Sequence, residues 1–157
     1  MTDPQGFMKR AIALAVRNVR SGRGGPFAAL VVKDGRIIGR GANRVVSQND
    51  PTAHAEILAM REACKTLRSF QLTGCEIYST CEPCPMCLGA IYWARPSRVY
   101  VAGSAKDAAA AGFDDAFIYG EAALPPSKRK IPMVPMMREE ALAAFRAWKS
   151  SPNRKRY

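Results

Sequence analysis

Three of the chain's five cysteines fall within one short stretch, Cys81-Glu82-Pro83-Cys84-Pro85-Met86-Cys87, and its only histidine lies upstream in His54-Ala55-Glu56. Cys84 and Cys87 have Cys-x-x-Cys spacing at an expected helix start. There both sulfurs can reach one ion, and the helix N-terminus favours thiolates. Two soft sulfurs with the His54 imidazole make a donor set for zinc. Three protein ligands leave a fourth position open for water, which is the catalytic arrangement. Glu56 follows the histidine by two residues, so it can stand beside that water and take its proton without ligating the metal. Two other readings start from the same residues. Cys81 as a fourth ligand closes the site into a structural Cys3His centre, and an isolated Cys-x-x-Cys is also a redox pair. The stiff Glu82-Pro83 approach argues against Cys81 as a ligand. Cys64 and Cys75 read as small core residues.

The helix starts that carry these ligands must be brought together by other elements. Met8, Ile12, Val16 and Val19 predict a helix over 4–20, with Pro4 suited to its first turn. Residues 26–32 and 36–41 read as a hairpin around Lys33-Asp34-Gly35, with Asn43 just beyond it. A loop at 48–51 leads to a helix opening at Pro51 or Thr52, with Ile57, Met60 or Arg61, Cys64 and Leu67 as its inner stripe. Further along, 75–79 and 99–102 are expected strands, and 84–94 and 104–111 expected helices. Gly112-Phe113-Asp114-Asp115 breaks the pattern, and a loop containing Pro125-Pro126 follows. Residues 131–134 read as an edge strand because Pro132 cannot donate to a ladder, and 137–148 as a closing helix. This order implies an α/β fold with a sheet covered by helices on both faces. No repeat or linker interrupts it, so residues 1–157 are expected to form a single domain.

A chain of 157 residues is long enough for one sizeable core. An odd number of clustered cysteines is a poor disulfide framework and suits metal thiolates in a reducing compartment. Residues 1–5 lack a signal-peptide pattern, and the apolar run 11–16 is far short of a membrane span, so a cytoplasmic protein without membrane attachment is expected. The net charge of +11 admits nucleic acid or an anionic small molecule as partner. Much of that charge sits in Lys128-Arg129-Lys130 and Arg154-Lys155-Arg156, not along one helix face.

His54-Ala55-Glu56 with Pro83-Cys84-Pro85-Met86-Cys87 resembles the signature of the zinc-dependent nucleobase deaminases, His-x-Glu followed by Pro-Cys-x-x-Cys. The resemblance implies a three-layer α/β/α cytidine deaminase-like fold with a mixed sheet of about five strands. It also implies zinc on His54, Cys84 and Cys87, Glu56 as proton shuttle, and no ligand role for Cys81. Gly25-Pro26-Phe27-Ala28-Ala29, Cys87-Leu88-Gly89-Ala90-Ile91-Tyr92-Trp93, the stretch from Gly112 to Tyr119 and the basic tail ending in Tyr resemble the bacterial guanine deaminase branch. That branch implies hydrolysis of guanine to xanthine and ammonia, with a small purine base as substrate. Phe27 can then cover the ring face, and Asn43 can pair with a purine edge as donor and acceptor. Asp114 or Asp115 can accept from ring or amino N–H groups; the motif position favours Asp115, which can also assist protonation. The branch further implies a homodimer in which the tail, 150–157, swaps between subunits and Tyr157 touches substrate. Transfer-RNA adenosine deaminases share His-Ala-Glu and Pro-Cys-x-Met-Cys and would suit a basic surface. A non-catalytic zinc-stabilised module that binds nucleic acid is the reading from another class.

Overall fold

The computed structural model describes residues 3–157, so Met1 and Thr2, part of the stretch read above for a secretion signal, lie outside it. Residues up to Asp115 form one compact unit and Ala116–Tyr157 a second.

The first unit opens with α1 (Pro4–Arg20), capped by Asp3, whose side chain accepts from the Gln5 amide, and started by Pro4. The hairpin of β1 (Ala28–Lys33) and β2 (Arg36–Ala42) follows. Its turn places Asp34 at φ 47° and Gly35 at φ 72°, the left-handed pair that a two-residue hairpin requires. A short helix α2 (Val45–Gln48) precedes α3 (Ala55–Leu67), and then come β3 (Cys75–Cys81), α4 (Pro85–Ala94), β4 (Arg98–Gly103) and α5 (Ala105–Ala110). The strands pair in the order β2-β1-β3-β4, antiparallel except for β3 with β4. The parallel pair needs a crossover, and α4 supplies it.

Strand β1 is buried on both faces because the sheet is covered on both sides. Ala29 and Val31 join Ile77, Cys75 and the inner residues of α3 and α4; Leu30 and Val32 join Phe7, Ala11 and Tyr78 beneath α1. This is the three-layer α/β/α arrangement with a mixed sheet, of four strands among the described residues. The inner face of α1 is Phe7, Ala11, Ala15 and Asn18, one position back from the residues that predicted the helix. Ile12, Val16 and Val19 are exposed and border an open apolar groove with Pro26, Thr80 and Ala102. Periodicity reveals a helix, but only tertiary contacts choose which stripe turns inward.

Helix α3 begins three to four residues later than expected. The Asp50 carboxylate accepts from the Thr52 amide at 2.8 Å and from its hydroxyl at 2.7 Å, holding 50–52 as a turn. The inner face of α3 is Ala55, Glu56, Ala59, Met60 and Ala63. It is small because β2 passes directly beneath it. A Cβ on Gly39 would lie 2.2 Å from the Ala59 carbonyl oxygen, and one on Gly41 would lie 1.9 Å from that of Ala55.

The second unit holds α6 (Ala116–Ala123), a single 3-10 turn at Pro126–Lys128 and α7 (Arg138–Ser150). Helix α6 occupies a stretch read as loop. Residues 131–134 form no strand, since Pro132 and Pro135 remove two backbone donors in four positions. No side chain of α6 or α7 is buried.

The contact between α3 and β2 yields the first prediction. Gly41→Ala drives a methyl group into the α3 backbone and costs about 1–3 kcal/mol of stability, the range for overpacking a tight contact. Urea denaturation of the two proteins measures it; an unchanged midpoint would refute the backbone-to-backbone packing.

Candidate metal centre and substrate wall

Two helix N-termini meet at the site. His54 is the N-cap of α3, with extended backbone at φ −71° and ψ 153°. Cys84 is the N-cap of α4, likewise extended at φ −64° and ψ 168°, with Pro85 in the first turn and its Sγ accepting from the Cys87 amide. Both helices therefore direct their N-terminal, positive dipole ends toward the cluster, which favours anionic sulfur.

His54 Nδ1 lies 3.4 Å from Cys84 Sγ and 3.6 Å from Cys87 Sγ, and the three candidate ligand atoms all lie within 4.8 Å of one another. Tetrahedral zinc, with bonds of about 2.3 Å to sulfur and about 2.0 Å to nitrogen, separates such a pair by about 3.5 Å. One imidazole and two sulfurs at these separations fit zinc. Among the described residues no other group of three or more His, Cys, Asp or Glu comes together this way. Cys81 stands aside: its thiol donates to the Ser104 carbonyl at 3.4 Å, and burial pushes its pKa up. The closed four-ligand centre is therefore not what the fold assembles.

The charges around the cluster are shared. A hydrogen bond from Cys87 and then His54 hold the Cys84 thiol down at about 4. The Cys87 thiol is correspondingly raised, chiefly by its bond to Cys84. His54 is raised, first by its bond to Cys84, with the charges of Glu56 and Asp115 adding to the effect.

Glu56, on the first turn of α3, is buried, and burial pushes its carboxyl above the usual range. Each carboxylate oxygen has a partner: the Ser79 hydroxyl donates to Oε1 at 3.2 Å, and the Cys87 thiol donates to Oε2 at 3.5 Å. Ser79, itself buried on β3, was not apparent in the sequence as a site residue; its only signal is a polar residue on a buried strand.

Asp115 is raised by burial and by the Cys84 charge, and it lies close enough to act on His54. The Phe27 ring meets Phe113 edge-on, with centroids 4.9 Å apart at 84°. Phe113 thus packs against the residue expected to cover a purine ring. Asn43 is buried, and its Oδ1 accepts from the Gly25 and Val45 amides at 3.3 Å each. Tyr157 is exposed in the second unit.

Residues 1–103 match the family described as the cytidine and deoxycytidylate deaminase zinc-binding region. The chain is 54% identical to the guanine deaminase of Bacillus subtilis over 151 residues, covering 96% of this chain and 97% of that one. An X-ray structure of guanine deaminase from the same organism superposes with a TM-score of 0.96 at 53% identity, covering 99% of each chain. A tRNA-specific adenosine deaminase from Aquifex aeolicus is 45% identical over 93 residues, 59% of this chain and 61% of that one. The match to the family takes in His54, Glu56, Cys84 and Cys87, the same residues that the fold gathers at two helix starts. By that match and that geometry, the chain belongs to the cytidine and deoxycytidylate deaminase zinc-binding family.

Proposed function

We propose that this protein is a guanine deaminase, hydrolysing guanine to xanthine and ammonia, with His54, Cys84 and Cys87 holding zinc and Glu56 as the proton shuttle. The similarity to the Bacillus subtilis enzyme carries this reading, because it runs past residue 103 through Phe113, Asp114 and Asp115 to the C-terminal tail. The adenosine deaminase resemblance covers a little over half of the chain, and that activity is the runner-up.

Zinc, when bound, supplies Lewis-acid activation of water. The chain's own groups do the rest. Ser79 holds Glu56 Oε1, leaving Oε2 on the side of the sulfurs to take a proton from the attacking water. A buried carboxyl with a raised pKa both accepts that proton and gives it up again. Oxygen bonds to guanine C2, the C2–N bond breaks, and the amino group leaves as ammonia with the transferred proton. Phe27 and Phe113 cover the ring. Asp115 accepts from the base's N–H groups and assists protonation; Asp114 is the second candidate.

The assembly we propose is a homodimer in which the C-terminal tail, 150–157, crosses to the partner subunit and Tyr157 closes the partner's site. Exposed Tyr92 and Trp93 on α4, with Phe117, Ile118, Tyr119, Phe145 and Trp148 in the second unit, support it, since monomers seldom leave so much large apolar surface uncovered. The whole of residues 1–157 would then serve as one deaminase domain. Among the described residues no helix is long and apolar enough to cross a membrane, and the five cysteines are unpaired, which suits a reducing cytoplasm; conversion of guanine to xanthine would place the protein in purine catabolism.

Three measurements test this reading. Cys84→Ser lowers bound zinc by at least about half and Cys81→Ser leaves it unchanged, by metal analysis of the purified proteins; zinc lost in the Cys81 variant would restore the closed structural centre. Glu56→Gln keeps its zinc and loses roughly 1000-fold or more in kcat for ammonia release, assayed on a panel of guanine, guanosine, adenine, cytosine and cytidine. In that panel the unaltered protein releases ammonia from guanine; inosine formation in transfer RNA without turnover of guanine would favour the runner-up. Full-length Glu56→Gln and a chain truncated after Lys149 are each inactive alone. Refolded together in equal amounts they recover about a quarter of the sites, because half the swapped dimers carry one intact site of two. No recovery means the tail acts within its own subunit.

A further inference from the structure

Four polar side chains are buried among the described residues: Asn18, Asn43, Glu56 and Ser79. Glu56 and Ser79 are bonded to each other at the metal centre. Asn18 has no part in the chemistry above, yet it sits in the last turn of α1 beneath the substrate wall.

Both protons of the Asn18 side-chain amide are used. Nδ2 donates to the Gly25 carbonyl at 3.0 Å and to the Asn43 carbonyl at 2.9 Å. Asn43 in turn accepts from the Gly25 and Val45 amides through Oδ1, and its backbone N–H donates to the Phe27 carbonyl at 3.0 Å. The two loops approach so closely that a Cβ on Gly24 would lie 2.0 Å from the Asn43 carbonyl oxygen. The backbone N–H, the backbone carbonyl and the side-chain oxygen of Asn43 are therefore all engaged. Oδ1 accepts from two backbone N–H groups, which fixes the orientation of the amide and leaves Nδ2 as the polar atom without an intrachain bond among the described residues.

We infer that Asn18 is a positioning residue for substrate recognition: it clamps the Gly24–Phe27 loop to Asn43, so that Asn43 meets the purine as a donor only. This corrects the expectation that Asn43 pairs through donor and acceptor together. It also selects what Asn43 can read, namely a ring nitrogen or carbonyl oxygen of the base and not an amino group. The inference rests on the proposal that Asn43 contacts the base.

A double-mutant cycle on the zinc-loaded enzyme tests it. Asn18→Ala lowers kcat/KM for guanine about tenfold, chiefly through KM, with zinc content unchanged. Asn43→Ala lowers it further, and the double variant stays within about twofold of Asn43→Ala alone, because Asn18 acts through Asn43. Additive losses would overturn the inference and leave Asn18 as a packing residue. Wild-type kcat/KM in Asn43→Ala would overturn the base contact and the inference with it, while guanine turnover by the unaltered protein would leave the proposed reaction standing. Should Asn18→Ala not fold, NMR of the unaltered protein decides. Slow solvent exchange of the Asn18 side-chain amide, relative to exposed Asn153, supports the clamp, and equally fast exchange overturns it.

Discussion

The contact between α3 and β2 is made without side chains to spare. Glycines at 39 and 41 let the strand lie against the carbonyls of Ala55 and Ala59, and Ala63 completes the same face. A helix seated on backbone has little freedom to rotate or slide, because interiors are close-packed and respond to a displaced methylene. Its first residues carry His54 and Glu56. The position of the imidazole relative to the two sulfurs of α4, and of the carboxylate relative to both, follows from that seating. A bulkier inner stripe on α3 would lift the histidine away from sulfurs that now lie 3.4 and 3.6 Å from it.

Around this framework the protein concentrates charge that ordinary cores exclude. A carboxylate, a histidine and two cysteines converge where two helix N-termini point. Each helix offers partial positive charge to anionic ligands, and Glu56 is held by Ser79 instead of by a cation. A buried acid without a salt-bridge partner is costly as a carboxylate, and its raised pKa is the measure of that cost. The same burial is compatible with the proton-transfer role proposed for it.

Substrate choice lies elsewhere in the chain. The metal centre specifies hydrolytic deamination and is shared by relatives that act on different bases. Phe27, Asn43, Phe113 and Asp115, the residues proposed to meet the base, lie on loops that leave the ends of β2 and α5 and the turn after α1. Asn18 and the close approach at Gly24 hold two of those loops together, so their relative position depends on a buried amide in the first helix.

The sequence by itself determined the donor set and put Glu56 beside it, because Cys-x-x-Cys at a helix start and His-x-Glu are local spacings that a single turn of backbone converts into geometry. It also determined the hairpin, whose Asp-Gly turn is written in adjacent residues, and most of the helices and strands of the first unit. Periodicity misplaced the inner face of α1 and missed α6, whose apolar residues are exposed and leave no one-sided stripe. Proline-rich residues 131–134 looked like an edge strand but have neither the donors nor the pairing. Only the tertiary structure decided that Cys81 turns to Ser104, that Ser79 holds Glu56, and that the Asn43 side-chain oxygen is taken up by the Gly25 and Val45 amides. These depend on backbone approaches and hydrogen bonds between residues distant in the chain, 23 apart for Ser79 and Glu56 and 25 for Asn18 and Asn43, and such contacts have no spacing to announce them.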